Sequence, residues 1–464
     1  MKMRFSGRLP LAIISLGLAW QTPAYAQTFS VLYNFGTNNG DPMFPSNSGI
    51  IAQGRDGNLY STTPVGGASS VGAAFKITPA GKLTVQYSFE GAVGDFPDSG
   101  LTLGTDGNFY GTTTVGYGIV FRLTPSGNLT VLHAFVGSDG SDATAPPIQG
   151  LDGNFYGTTA AGGAGTLNSG TVYKLTKSGE FTSLYSFDFA TSGETPSAPL
   201  VQGTDGNFYG TTNQAGLAGD GTIFRITPAG ELTLLYEFDG TDGSESFAPL
   251  IQGSDGNFYG TATSGGSAGY GTVFRITPQG KLTVLHSFSR GNDGYILYGG
   301  LVQATDGNFY GTTAGQPPNS CGTIFRITPK GRFSTLYNFG QGGTGCGPEV
   351  TLIQHTDGAL YGDTYMGGTG NCSTGCGVFF RLNANLPPFV SLLSITGKVG
   401  KTIEILGQGF KGTTAVSFNG TSASFKVVSG TYVTATVPKG ATTGFVTVTT
   451  PKGKLTSNKK FRVN

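Results

Sequence analysis

Near-identical copies of the phrase Asp-Gly-Asn-Phe-Tyr-Gly-Thr-Thr occur seven times along the chain, with tyrosines at Tyr60, Tyr110, Tyr156, Tyr209, Tyr259, Tyr310 and Tyr361. The interval between them is 46 to 53 residues. A period near fifty with several short apolar runs per unit specifies a toroidal repeat fold in which each unit is one small sheet. This pattern constrains architecture much more than chemistry.

Each period holds four strand-like runs, here called a to d. In the fifth copy they begin at Pro249, Asn257, Gly271 and Leu282; all are short, β-branched or aromatic, and bounded by Gly, Pro, Asp or Asn. An Asp-Gly turn joins a to b and a Pro-x-Gly turn such as Pro278–Gly280 joins c to d, so each unit reads as an antiparallel meander. The seventh unit stops after its c strand, Gly377–Asn383, while a spare d strand, Thr28–Phe35, stands at the front. One spare and one vacancy are what closure by strand exchange requires, and closure removes two open sheet edges. The expectation is an all-β chain: a seven-bladed β-propeller over 27–384, closed by the N-terminal strand.

Gly is 79 of 464 residues and only 11% are charged, which suits many turns and few exposed helices. Residues 1–26 read as a signal peptide. Lys2, Arg4 and Arg8 precede an apolar run from Leu9 to Trp20, and Ala24-Tyr25-Ala26 is a small-x-small cleavage site before Gln27. The mature chain is therefore expected to be secreted, periplasmic or extracellular, and not to span the membrane. After Pro387-Pro388 the grammar changes: six or seven alternating strands within residues 385–464 describe a small β-sandwich. Charge divides unevenly. Residues 27–384 carry 14 Lys/Arg against 25 Asp/Glu, whereas 385–464 carry ten against Glu404 alone. A basic sandwich beside an acidic ring implies intramolecular docking or attraction to an anionic surface such as acidic polysaccharide; nucleic acid is disfavoured, because no base-stacking motif is present.

Two resemblances follow. Gly203–Thr212, with Gly221–Pro228 and Leu232–Tyr236, resembles the Gloeobacter–Verrucomicrobia (GloVer) tandem repeat of exported bacterial proteins, a family that brings no established activity with it. Gly400–Phe410, Val416–Gly420 and Val437–Thr449 resemble IPT/TIG domains, which implies an immunoglobulin-like β-sandwich acting as a spacer or adhesive module without catalysis.

The repeated aspartates (Asp56, Asp106, Asp152, Asp205, Asp255, Asp306, Asp357) precede each b strand by two residues and read as turn caps. A looser acidic set includes Asp139, Asp142, Asp239, Asp242, Glu245 and Asp293; Asp239–Glu245 has oxygen ligands for a loose calcium loop but misses the EF-hand spacing. Calcium is thus the one cofactor with any motif. His133 and His286 stand where other d strands place tyrosine, and His355 stands alone, so no triad is legible. Cys321, Cys346, Cys372 and Cys376 fall in the b–c and d–a loops of units six and seven; the pairing expected among three is Cys321–Cys346 with Cys372–Cys376. The b–c and d–a loops should form the working face, with Tyr117, Tyr270, Tyr295, Tyr298 and Tyr365 as ligand-stacking candidates. The near-identity of the units favours a non-catalytic monomeric scaffold that binds cell-envelope or extracellular material, carbohydrate above all. The alternative is a polysaccharide lyase or hydrolase using acids of the d–a loops, notably Asp239 and Asp242.

Overall fold

The computed structural model describes residues 27–464 except 46–49, 92–93, 165–167, 215, 217–218, 316–319 and 341–342; the expected signal peptide lies outside the described residues. Every named element is a strand. Between Thr28 and Asn383 the chain forms seven four-stranded sheets, six of them in the order a-b-c-d from a single unit. The seventh is completed by Thr28–Asn34, which pairs antiparallel with Val378–Asn383 from Thr28↔Asn383 to Asn34↔Val378. Closure by strand exchange is therefore realised between the two segments the sequence pairs. The a strands are shorter than expected, only two residues each, as in Ile251–Gln252. They converge at the axis, where Ile50 bridges both Gly100 of the second unit and Thr351 of the seventh.

The repeated phrase welds blade to blade. Successive residues on a strand point to opposite faces, so the Phe-Tyr doublet presents phenylalanine to one neighbour and tyrosine to the other. Tyr110 stacks on Phe155 of the next blade at 3.8 Å between centroids, and Tyr60, Tyr156, Tyr209 and Tyr259 do likewise on Phe109, Phe208, Phe258 and Phe309 at 4.0 Å. Leu360 and Leu59 take the phenylalanine place against Tyr310 and Tyr361. A second ring lies further out: the phenylalanine ending each d strand meets the aromatic of the next c strand edge-on. Its seven pairs run from Phe35–Phe75 to Phe339–Phe380 at 5.1 to 5.5 Å. An a-strand glutamine also accepts a backbone N–H of the preceding blade, as Gln202 does from Leu151 at 2.8 Å, and Gln53 closes the circuit on Thr356 at 3.0 Å.

The turn aspartates do more than cap. Asp255 Oδ1 accepts the Asn257 N–H at 3.1 Å, while Oδ2 accepts the Asn257 amide at 2.7 Å and the buried Tyr259 hydroxyl at 2.9 Å. The whole Asp-Gly-Asn-Phe-Tyr phrase is thus one hydrogen-bonded unit. The c–d glycines are needed twice over: Gly230 has φ +98°, and a Cβ there would stand 2.7 Å from the Leu184 carbonyl oxygen of the previous blade.

The C-terminal residues form a four-stranded and a five-stranded sheet around Val390, Ile405, Phe410, Val433, Val446 and Val448. The short strands Thr421–Ala423 and Phe425–Val427 adjoin in sequence but belong to different sheets. Docking is intramolecular and on the Asp-Gly-turn face. Gln408 donates to Thr356 Oγ1 at 3.0 Å, Thr431 to the Arg55 carbonyl at 2.8 Å, and Arg462 to the Thr204 carbonyl at 3.0 Å. These turns belong to blades seven, one and four, on opposite sides of the ring, so the sandwich lies across that end of the axis. The polarity of the principal ion pair is opposite to the bulk charges: Glu404, the sandwich's sole acid, pairs with ring residue Arg55, which also lies 4.9 Å over the Tyr432 ring.

Candidate functional site at the open mouth of the ring

With the turn face occupied by the sandwich, the b–c and d–a loops line the other end. The residue entering each inner strand is equivalent from blade to blade. Six of these positions are described, Asp98, Thr144, Ser197, Phe247, Tyr298 and Glu349, and all six are half-buried. Neighbours in this circle touch: Thr144 donates to the Ser197 carbonyl at 3.1 Å, and the Phe247 and Tyr298 rings meet edge-on at 5.9 Å. One arc is therefore small and polar, one aromatic, one acidic.

The acidic arc deepens into the seventh blade. In five of the other blades a threonine on the b strand donates to the next connection, as Thr158 does to the Ala198 carbonyl at 3.0 Å and Thr312 to the Val350 carbonyl at 3.2 Å. Blade seven puts Asp363 in that seat, 3% exposed. Burial, helped by the charge of Glu349, pushes its carboxyl up to about 8. Burial, with the charge of Asp98 behind it, likewise pushes Glu349 up to about 7. A neutral Asp363 retains the O–H donor that threonine supplies elsewhere. Burial first, then the charges of Glu349 and Glu245, holds the Tyr298 phenol above its ordinary value.

This arrangement carries a sign-definite pH dependence. Asp363 ionises near pH ~4 in the unfolded chain but only near about 8 when folded. The stability contributed by its neutral form is complete below the unfolded value and is lost as pH rises through the folded one. The melting temperature is expected to fall between pH 5 and 9 more steeply for the native chain than for Asp363→Asn. Parallel profiles would exclude a neutral buried Asp363.

The expected tyrosines do not form one surface. Tyr298 belongs to the mouth, and Tyr365 packs on Phe44 at 5.4 Å. Both Tyr365 Cβ and Glu349 Oε1 lie 3.8 Å from where a Cβ on Gly347 would stand. Tyr270 and Tyr295 meet at 6.1 Å on the rim between blades five and six, with Arg290 over both; Tyr295 is only 5% exposed, so it backs the arginine instead of offering a stacking face. Tyr117, 56% exposed, stands apart on blade two.

The other acids of this region are engaged by neighbouring residues. Asp239 accepts from Thr241 at 2.9 and 2.6 Å, Asp242 from the Tyr236 hydroxyl, and Glu245 from Ser264 at 3.0 Å. Among the described residues no three His, Cys, Asp or Glu side chains converge as a metal would require. His133 and His286 replace tyrosine as expected, stacking on Phe181 and Phe333 at 3.8 and 4.1 Å and bonding to Asp139 and Asp293. His355 is not isolated: fully buried, it bonds the Gly57 carbonyl at 3.0 Å across the closure between blades seven and one. The disulfides are Cys321–Cys346 and Cys372–Cys376. Glu349 and Asp363, acids that depart from the repeat, were not singled out by the sequence reading. Asp363 left a signal, being an acid at a place in the phrase that reads Thr in the other six copies.

A family model described as Gloeobacter/Verrucomicrobia repeat matches residues 114–316 and 280–407, and one for the IPT/TIG domain matches 388–463. No curated protein matches in sequence. Among solved structures, a fungal alcohol oxidase of the AA5 family, in complex with copper, aligns over 95% of this chain and 100% of its own at 15% identity and a TM-score of 0.54. The extracellular domain of the putative hybrid two component system BT3049 from B. thetaiotaomicron aligns over 94% and 57% at 10% identity and a TM-score of 0.49. Likenesses at such identities concern the fold alone. No helix among the described residues is long and apolar enough to cross a membrane.

Proposed function

The chain belongs to the Gloeobacter/Verrucomicrobia repeat family, and from that premise we propose that it is an extracellular, non-catalytic binding scaffold that takes carbohydrate at the open mouth of its ring. Repeat and IPT/TIG modules together, with two disulfides, suit an extracellular binding or scaffold protein. The observation that carries the ligand class is the unequal circle at the mouth: Phe247 and Tyr298 offer apolar ring surface beside Glu349 and Asp98, which offer hydrogen bonds. Sugars present apolar C–H faces edged by hydroxyls, and a half-buried site with both features matches them. The sandwich, lying over the opposite end, leaves this mouth open.

Binding of the mature protein to a glycan array tests the reading. Phe247→Ala and Tyr298→Ala are expected to weaken the leading glycan at least tenfold, while Tyr117→Ala leaves it unchanged. No bound glycan, or equal binding by all variants, would overturn it. Asp239 and Asp242, bonded within their own loop, give the polysaccharide-cleaving alternative no support. That alternative is favoured by a different observation, the titration of Glu349 near neutrality beside a neutral Asp363, which is where a general acid operates. Turnover of a polysaccharide lost on Glu349→Gln would establish it in place of the scaffold.

A further inference from the structure

On the rim of the same face, between blades five and six, lies a polar cleft of about 250 Å³ lined by Arg290, Asn292, Tyr295, Ser320, Thr323 and Asn338. We infer that this cleft binds the carboxylate of an acidic sugar, with the Arg290 guanidinium as its principal contact; the inference rests on the carbohydrate reading and adds the charge class of the ligand.

The backbone at Arg290 is the first support. It is the second residue after the d-strand phenylalanine, a place filled by Gly91, Gly137 and Gly240 in three other connections, all with positive φ. Arg290 adopts φ +63° there. A side chain kept in a seat that suits glycine costs conformational energy, and such strain concentrates where the side chain has a task.

The second support is how the guanidinium is held. Its carbon lies 5.7 Å from the Tyr270 centroid and 5.1 Å from that of Tyr295, so two aromatic rings orient it. Among the described residues no ion pair includes Arg290, although the ring carries 25 acids against 14 basic residues. The acid of its own connection, Asp293, is occupied by Ser289 N–H and hydroxyl, Gly291 N–H and His286 at 2.9 to 3.2 Å. An oriented, exposed guanidinium suits bidentate recognition of a carboxylate.

The third support is rigidity. The Asn292 carbonyl accepts from Thr335 at 3.0 Å, and the Cys321–Cys346 disulfide fixes the wall that carries Ser320 and Thr323. A preformed cleft loses little entropy on binding. Its size suits a single sugar unit, with the Asn292, Asn338 and Ser320 side chains beside the arginine to meet hydroxyls. The acid excess of the ring repels a polyanion at long range, so affinity must come from these short-range bonds.

The test uses the mature protein and two probes that differ only in charge: oligogalacturonate and its methyl ester, titrated calorimetrically at low salt. The free acid is expected to bind at least tenfold more tightly than the ester. Arg290→Gln should abolish that ratio with an unchanged melting temperature, and Arg290→Lys should keep part of it. Equal binding of acid and ester, or a ratio that survives Arg290→Gln, overturns the site. Tyr298→Ala separates the two readings: if neutral glycans bind through Tyr298 while the acid is not preferred, the mouth reading stands and the rim site falls.

Discussion

Deletion of residues 27–36 is expected to unfold the whole ring instead of fraying one edge. The segment supplies the outer strand of the sheet that also contains Val378–Asn383, and its loss bares that strand along its full register. It also removes Phe29, stacked on Tyr337 of blade six at 3.9 Å, and Phe35, which continues the edge-on circuit to Phe75 of blade one. Phe29, Val31, Leu32 and Tyr33 are half-buried and Phe35 is fully buried. At roughly 1 to 3 kcal/mol for each of the five side chains, the loss is on the order of 5–15 kcal/mol. That is comparable with the entire stability of an ordinary domain, about 5–15 kcal/mol. The truncated protein should lose its cooperative melting transition or melt more than ~10 °C lower. A truncated chain that melts like its parent would mean that the ring is not closed by this strand.

Tyr259→Ala should be among the most destabilising single substitutions, at about 3–5 kcal/mol. The ring is fully buried, stacks on Phe309 of the next blade at 4.0 Å and donates its hydroxyl to Asp255. Tyr259→Phe separates the two contributions. It keeps the stack and loses only the hydrogen bond, at about 1–2 kcal/mol. Chemical denaturation of both variants checks the pair; equal losses would show that the hydroxyl, and not the blade-to-blade stack, dominates. The same experiment at Tyr117, exposed and outside the repeated phrase, should change stability by no more than ~0.5 kcal/mol.

Much of the architecture was legible because a repeat writes the same physical solution seven times. Period, turn residues and strand count follow from spacing, and the displaced Thr28–Phe35 run announced closure before any pairing was seen. His133 and His286 were readable as aromatic substitutes for the same reason. The loops placed all four cysteines on one face, but only the structure decides among their three pairings. Recognition was harder. Tyr270, Tyr295, Tyr298 and Tyr365 all lie in b–c or d–a loops, and the sequence reading assigned them one common role. In the structure Tyr295 stands behind Arg290, Tyr365 leans on Phe44, and Tyr298 belongs to the mouth.

Local pattern by itself determined strands, turns, blade order and closure, since these depend on contacts that recur at fixed sequence intervals. Only tertiary structure decided what meets across the axis. Asp98 and Glu349 come from units at opposite ends of the chain and become near neighbours because the ring closes, and Asp363 becomes a carboxyl held neutral because burial denies it solvent. The sandwich, too, meets its face through a few local contacts, among them the ion pair of Glu404 with Arg55, against the sign of both modules' net charge. Net charge is a sum over a surface, whereas docking is set by the few groups that touch, and no spacing rule in the sequence specifies which those are.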